Sequence, residues 1–379
     1  MELTVEQRAI AETAADFARE HLAPQALEWD RTKYFPTDVL RKSGELGFGG
    51  VYVKAEYGGS DLTRRDALLL FEALATGCPA IAAYISIHNM VAWMVSTYGT
   101  DPVRAKYLAS LCDMNMLGAY CLTEPGAGSD AAAISTRARR SGDGWVLDGV
   151  KQFISGAGAA DVYVVFARTG EPGAKGISAF VVPKETAGLS FGLNESKMGW
   201  NCHPTRQVFL ESVRLPDTAL LGNQGDGFSI AMRALDGGRL NIGACSIGGA
   251  SAALNSAQQY LQDRYAFGQP LAEAQSLRFR VAEAHTRLRA ARLLLWDAAA
   301  ALEEKRRDAT PLCAMAKRLA TDTGFEVADA ALQLHGGYGY LTETGIEKIV
   351  RDLRVHRILE GSNEIMNVII ARDLLGANG

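Results

Sequence analysis

Tyr120-Cys-Leu-Thr-Glu-Pro-Gly-Ala-Gly-Ser-Asp130 marks the point at which the chain changes character. It begins as a short apolar run and ends in a turn whose glycines let backbone N–H groups approach a ligand closely, with Thr123 and Ser129 offering hydroxyls. Such a stretch suits a flat, phosphorylated cofactor and equally an ordinary turn. What surrounds it has to decide.

Upstream, residues 1–118 read as helical. Thr4 can cap a helix with Gln7 three residues on, and Ile10, Ala14 and Phe17 recur at helical spacing. Asp66–Thr76 continues the pattern, and Ile85–Tyr98 is a largely apolar stretch enclosing Ser86, His88 and Asn89. Residues 119–226 read differently. Trp145–Leu147, Val162–Ala167, Ile177–Val182 and Gln207–Leu210 are strand-like runs parted by Gly, Pro and Asp, and Ser141-Gly-Asp-Gly144 makes a hairpin connection. From 227 to 379 helices return, over Asn255 toward Ala266, Leu277 to about Arg306 and Leu312 to about His335. Breaks are expected at Gly268-Gln-Pro270, Thr310-Pro311 and His335–Tyr340. Long helices with short connectors suggest a bundle.

Composition narrows the function. A length of 379 residues exceeds what one hydrophobic core ordinarily serves, so several domains are expected. A net charge of -4 gives no basic field for nucleic acid, and Arg137, Arg139, Arg140 and Lys305–Arg307 read as solvated faces. The six cysteines form no CxxC pair and no zinc pattern, and sit among apolar or small neighbours as buried thiols in a reducing compartment would. No metal site is expected. No apolar run suggests a membrane span, and the acidic, helix-starting N-terminus is unlike a signal peptide. The expected location is the bacterial cytoplasm, or the mitochondrial matrix if a transit peptide has been removed.

Four further segments carry chemistry. Phe153-Ile-Ser155 adds an aromatic ring and a hydroxyl, and the Gly156–Asp161 run after it resembles a dinucleotide fingerprint but lacks the third glycine and leads into a strand. Arg264, Phe267 and Gln275 put a cation, a ring and an amide at a helix break, a trio suited to a pyrophosphate and adenine or simply to a helix C-terminus. Gln333-Leu-His-Gly-Gly-Tyr ends a helix with adjacent glycines, either a cap or a phosphate contact. In Glu360-Gly-Ser-Asn-Glu364, Ser362 can cap the following helix and Gly361 leaves the space beside Glu360 open for a carboxylate that removes a proton.

These segments, with Lys151-Gln-Phe-Ile-Ser155, occur in the order and spacing of the acyl-CoA dehydrogenases, which the chain resembles over essentially its full length. The resemblance implies an α+β multidomain fold: an N-terminal helical domain, a central β-barrel or sandwich domain and a C-terminal four-helix bundle. It also implies FAD, an acyl-CoA substrate, electron-transfer flavoprotein as acceptor and a homotetramer. Tyr120, Leu122, Thr123, Gly128, Ser129, Phe153 and Ser155 would then contact the flavin. Arg264, Phe267, Gln275, Gln333, Gly336 and Gly337 would hold the diphosphate and adenosine across a subunit boundary, and Ser362 and Glu364 would complete the cofactor site. Ser129, Asp236, Arg239, Gly361 and Arg372 would touch the acyl-CoA.

Some members of the family place the base where this chain has Gly238, which leaves Glu360 as the base here. Gly188–Gly192, Met198–Asn201, Pro204–Arg206 and Leu235–Ile242 look most like members acting on isobutyryl-CoA, so a 2-methyl-branched short acyl group is the expected substrate. Straight short chains, 2-methylbutyryl-CoA, an oxidase and a non-catalytic acyl-CoA or flavin scaffold are the alternatives. Arg351, Arg354 and Arg357 would oppose a raised glutamate pKa if they faced it.

Overall fold

The computed structural model describes residues 2–376. Six helices open the chain: α1 (Val5–Phe17), α2 (Ala26–Thr32), α3 (Thr37–Glu45), α4 (Arg64–Gly77), α5 (Pro79–Tyr98) and α6 (Asp101–Cys112). Two of them start on reciprocal capping boxes, Thr4 with Gln7 and Thr63 with Asp66, which satisfy N–H groups that a helix start leaves orphaned.

Helix α5 has the length and apolar composition of a bilayer span, yet 78% of its most apolar window is buried within the protein. It is the core helix of the first domain. It packs on α4 and α6 and reaches across to the β domain and the C-terminal helices.

Eight strands follow, β1 (Gly118–Cys121), β2 (Arg137–Ser141), β3 (Gly144–Ser155), β4 (Val162–Arg168), β5 (Ile177–Pro183), β6 (Leu189–Phe191), β7 (Thr205–Pro216) and β8 (Leu220–Leu221). They form one hydrogen-bonded sheet in the order β6-β7-β3-β2-β4-β5-β8, with β1 added parallel to β4. The Ser141–Gly144 hairpin pairs as its sequence suggests. Alternate residues of β4 and β5 face two separate apolar layers, Tyr163, Val165 and Phe180 on one side and Val164, Phe166 and Val181 on the other.

The C-terminal region consists of α7 (Gly227–Asp263), a two-residue hairpin of β9 (Tyr265–Ala266) and β10 (Gln269–Pro270), then α8 (Gln275–Glu303), α9 (Ala309–Leu334), α10 (Ile346–Arg354) and α11 (Asn363–Leu375). Three expectations need correction. Helix α7 begins at Gly227 rather than near Asn255, because a helix buried nearly all round shows no apolar stripe to read. Its glycines are close contacts, not breaks: a Cβ on Gly248 would stand 2.1 Å from the Glu72 carbonyl oxygen of α4. Tyr265 and Ala266 leave the helix for the hairpin, turned by Phe267 and Gly268 at φ 53° and 80°. Pro311 lies inside the first turn of α9, where no i−4 hydrogen bond is lost, rather than at a break.

Candidate active site

Glu360 sits between α10 and α11 with φ 55°, a left-handed conformation a non-glycine residue adopts only when its surroundings impose it. Its backbone side is partly open, but both carboxylate oxygens are shielded from solvent and neither has a hydrogen-bond partner among the described residues. Burial pushes the carboxyl up to about 7, with Lys317 and Arg239 pulling the other way. The three arginines at 351, 354 and 357 play no part in this. Arg351 pairs with Glu347 and Asp30, Arg357 with Asp322 at 2.6 Å, and Arg354 lies over the Phe325 ring.

The Glu360 backbone is held from α7. Arg239 of α7 donates through Nε to the Glu360 carbonyl at 3.2 Å and pairs through Nη1 with Asp236 at 2.7 Å, while Thr310 donates to the other Asp236 oxygen at 2.8 Å. One helical turn of α7 therefore carries Asp236, Gly238 and Arg239 to one place. The Tyr120 hydroxyl of β1 is buried without a partner among the described residues and lies near enough to Glu360 for its charge, after burial itself, to hold the phenol above its ordinary range. Gly361, at φ 91°, packs against the Met366 methyl. Ser362 caps α11 by accepting from the Ile365 N–H at 3.4 Å, and Glu364 stands exposed in the first turn, where the helix N-terminus favours a carboxylate. Arg372 is exposed eight residues further along α11 than Glu364, about 12 Å at 1.5 Å per residue.

A second group lies on β1 and β3. The Gln152 N–H donates to the Thr123 carbonyl at 2.8 Å, and Lys151 Nζ donates to the Leu122 carbonyl at 3.1 Å and to Glu124 at 2.7 Å. Glu124 also accepts from Ser135 and from the Thr136 N–H, so it fastens the loop from Thr123 to Thr136. Phe153 is the odd residue of a bulge between Lys151 and Ile154, at φ 57°, with a 63% exposed ring. Ser155 continues the strand opposite Thr205. A Cβ on Gly128 would meet nothing within 4 Å, and Ser129 beside it is exposed.

The third group is elsewhere. Gln333 and Gly336 line a cavity of about 300 Å³ with Tyr260, Ser276, Leu277 and Arg280, and the Arg264 guanidinium lies 5.9 Å from the Tyr338 ring. Phe267 is fully exposed, Gln275 and Gly337 are open to solvent, and His335 is tied to Ala331 and Ser256 as a structural histidine. Gln333 follows Lys317, which bonds the turn after Glu360, by sixteen residues of α9, about 24 Å. One chain therefore does not bring its third group to its own Glu360.

Sequence reasoning missed Lys317, Asn363, Met90 and the Lys151–Glu124 pair. Lys317 left a signal: it shares a helical face with Cys313, Ala320 and Gly324, and a lone lysine on an apolar stripe requires a buried partner. Met90 left none, because its sulfur meets Gly238 only through tertiary packing.

A flavin fits these residues on three observations. Tyr120 offers a sealed and unpartnered hydroxyl, Phe153 an exposed ring held at strained φ, and the Gly128 cradle leaves backbone accessible. All three lie on β1, β3 or the loop that Glu124 anchors.

Three family models divide the chain: Acyl-CoA dehydrogenase, N-terminal domain, over residues 4–115; middle domain, over 119–213; and C-terminal domain, over 225–375. The chain is 50% identical to the mitochondrial isobutyryl-CoA dehydrogenase of Bos taurus over 375 residues, 99% of this chain and 90% of that protein. Butyryl-CoA dehydrogenase from Megasphaera elsdenii superposes with a TM-score of 0.96 at 36% identity, covering 99% of both chains. The FAD complex of PigA superposes with a TM-score of 0.95 at 29% identity, again over 99% of both.

Proposed function

The chain belongs to the acyl-CoA dehydrogenase family of FAD-dependent oxidoreductases, and from that premise we propose that it converts isobutyryl-CoA, or a closely similar 2-methyl-branched short acyl-CoA, to the enoyl-CoA, with Glu360 as the base. The observation that carries the assignment of the base is its carboxylate: sealed, unpartnered and lifted to about 7. A group in that state sheds the desolvation cost of its charge when it takes a proton, and its affinity for the proton matches work near neutral pH. An exposed surface glutamate would have neither property.

The α-proton of a thioester is weakly acidic, so charge developing on the carbonyl oxygen needs a donor. The Glu360 N–H donates to no group among the described residues and is free for that oxygen. Arg239 holds the same residue by its carbonyl, and the left-handed φ aims backbone and side chain independently. When bound, FAD supplies the acceptor for the β-hydrogen as hydride. Tyr120, Leu122, Thr123, Gly128, Ser129, Phe153, Ser155, Ser362 and Glu364 are proposed to hold it, with Asp236, Arg239, Ser129, Gly361 and Arg372 along the acyl-CoA.

Arg264, Phe267, Gln275, Gln333, Gly336 and Gly337 are proposed to serve the cofactor of a neighbouring copy in a homotetramer. Their separation from Glu360 along α9 and the full exposure of Phe267 support that reading. Electron-transfer flavoprotein is the proposed acceptor; peroxide formed at the rate of turnover without it would instead mark an oxidase. Anaerobic bleaching of the flavin by isobutyryl-, 2-methylbutyryl-, butyryl- and isovaleryl-CoA tests the substrate. Isobutyryl-CoA is expected to reduce it fastest, and a faster straight chain would overturn the branched assignment.

A further inference from the structure

Lys317 is completely buried on α9 and makes no salt bridge among the described residues. Its Nζ donates to the Gly361 carbonyl at 2.8 Å and to Asn363 Oδ1 at 2.9 Å. Asn363 is fixed in turn, its Nδ2 donating to Thr321 Oγ1 and to Asp322 Oδ1, both at 3.0 Å. The residues on either side of Ser362 are thus bound to one ammonium group, and Glu360 is the next residue back. A buried cation that has only neutral acceptors in contact is costly, and it persists where a nearby anion or a geometric need retains it.

We propose that Lys317 is a positioning residue for the base: it ties the turn that carries Glu360 to helix α9 and keeps a positive charge near the carboxylate. This rests on the reading of Glu360 as the base. The charged and titratable groups around the pair are Arg239 and Cys245 of α7, Tyr120 of β1, Asp322 of α9, Glu364 of α11 and His356 between α10 and the turn. Burial brings Lys317 down to about 8 against the opposing pull of Glu360, so the lysine is still a cation where the carboxyl titrates. Without that charge the carboxyl would hold its proton to higher pH, and more of the enzyme would carry a base already protonated. Arg239 pulls the same way more weakly, its charge partly offset by its Asp236 partner.

The test is the pH profile of anaerobic flavin reduction by isobutyryl-CoA in the FAD-loaded enzyme, comparing the parent with Lys317→Gln, Lys317→Met and Asn363→Ala. Lys317→Gln keeps a neutral donor, so its inflection should move up by about one unit while the rate at alkaline pH stays near the parent's. Lys317→Met should show the same displacement with a lower alkaline rate, the geometric part now being lost. Asn363→Ala keeps the charge and loosens the turn. It should lower the alkaline rate and leave the inflection in place, and it keeps the question open to test if the lysine variants do not bind FAD.

Inflections unmoved in both lysine variants, or an Asn363→Ala rate equal to the parent's at every pH, would overturn the proposal. Glu360→Gln separates the two readings. Bleaching retained in that variant removes the base itself, whereas bleaching lost with unmoved Lys317 profiles removes only the role of the lysine.

Discussion

A methyl group on Gly238 would stand 2.6 Å from Glu360 Oε2 and 2.8 Å from the Met90 sulfur, so the carboxylate occupies room that only glycine leaves. Real Cβ contacts do not come that close, and the unpartnered end of the Glu360 side chain is the group that gives way. Met90 is buried on α5, and Glu360 is fixed by its carbonyl to Arg239. Gly238→Ala should therefore displace the base while leaving the helix intact. A shift of about 1 Å in a reacting group costs on the order of 10²-fold, and single-turnover flavin reduction should fall by about that much. Reduction at the parent rate would show that the carboxylate works from another position.

Removing the charge rather than the room gives a second prediction, with opposite signs for activity and stability. Glu360→Gln should bind FAD normally and lose about 10²–10⁴-fold in reduction rate. In the parent that rate should rise with pH through about 7, as the carboxyl ionises. Stability runs the other way. The folded carboxyl titrates above its ordinary value of 4.5, so its contribution is complete below that pH and is lost as pH rises to about 7. The loss has an upper bound of about 3 kcal/mol at 1.36 kcal/mol per unit. Thermal midpoints of parent and variant should agree near pH 4 and separate in favour of Glu360→Gln above neutrality. Equal midpoints at alkaline pH would mean that the carboxylate is hydrated.

The division into helical, β and helical regions was legible because each has its own period: Thr4 to Phe17 repeats like a helix and Val162 to Ala167 like a buried strand. The first half of α7 was not legible, because small residues packed on several sides leave no polar face to set the phase. In the site, Glu360 and the Gly128 cradle could be read from local sequence, since glycine beside a functional group marks space. Lys317 and Met90 could not be tied to Glu360 in the same way. They reach it from α9 and α5, at sequence distances over which no periodicity carries information.

Phe153 joins local strain to a proposed cofactor role. A phenylalanine at φ 57° with an exposed ring costs about 1 kcal/mol or more relative to glycine. Phe153→Gly should accordingly raise the urea midpoint of the apoprotein. The same substitution removes the ring proposed to lie against the flavin, and FAD should bind about fivefold more weakly, in line with a lost aromatic contact of about 1 kcal/mol. Fluorescence titration of the apoprotein with FAD measures the affinity. Unchanged affinity would take Phe153 out of the cofactor site.

The Lys151–Glu124 pair is where the cofactor loop meets the stability of the β domain. Burial opposes ionisation of Glu124, but Lys151 and the donors from Ser135 and Thr136 outweigh it and hold the carboxyl at about 2. Burial alone dominates for Lys151, which Glu124 only partly offsets, and the lysine lies below its ordinary range. The two partners are therefore unequal: the carboxylate has other donors, and among the described residues the ammonium has only the Leu122 carbonyl besides. Glu124→Gln strips a buried cation of its counter-charge, while Lys151→Met leaves a carboxylate that still accepts three hydrogen bonds. Breaking a buried pair costs about 3–5 kcal/mol, and Glu124→Gln should sit at the upper end of that range, with Lys151→Met less destabilised. Both should release FAD at lower urea than the parent, because Leu122 and Thr123 lose their anchor. Chemical denaturation followed by far-UV circular dichroism and flavin fluorescence distinguishes unfolding from release. A Lys151→Met protein less stable than Glu124→Gln would reverse this ranking and place the greater burden on the carboxylate.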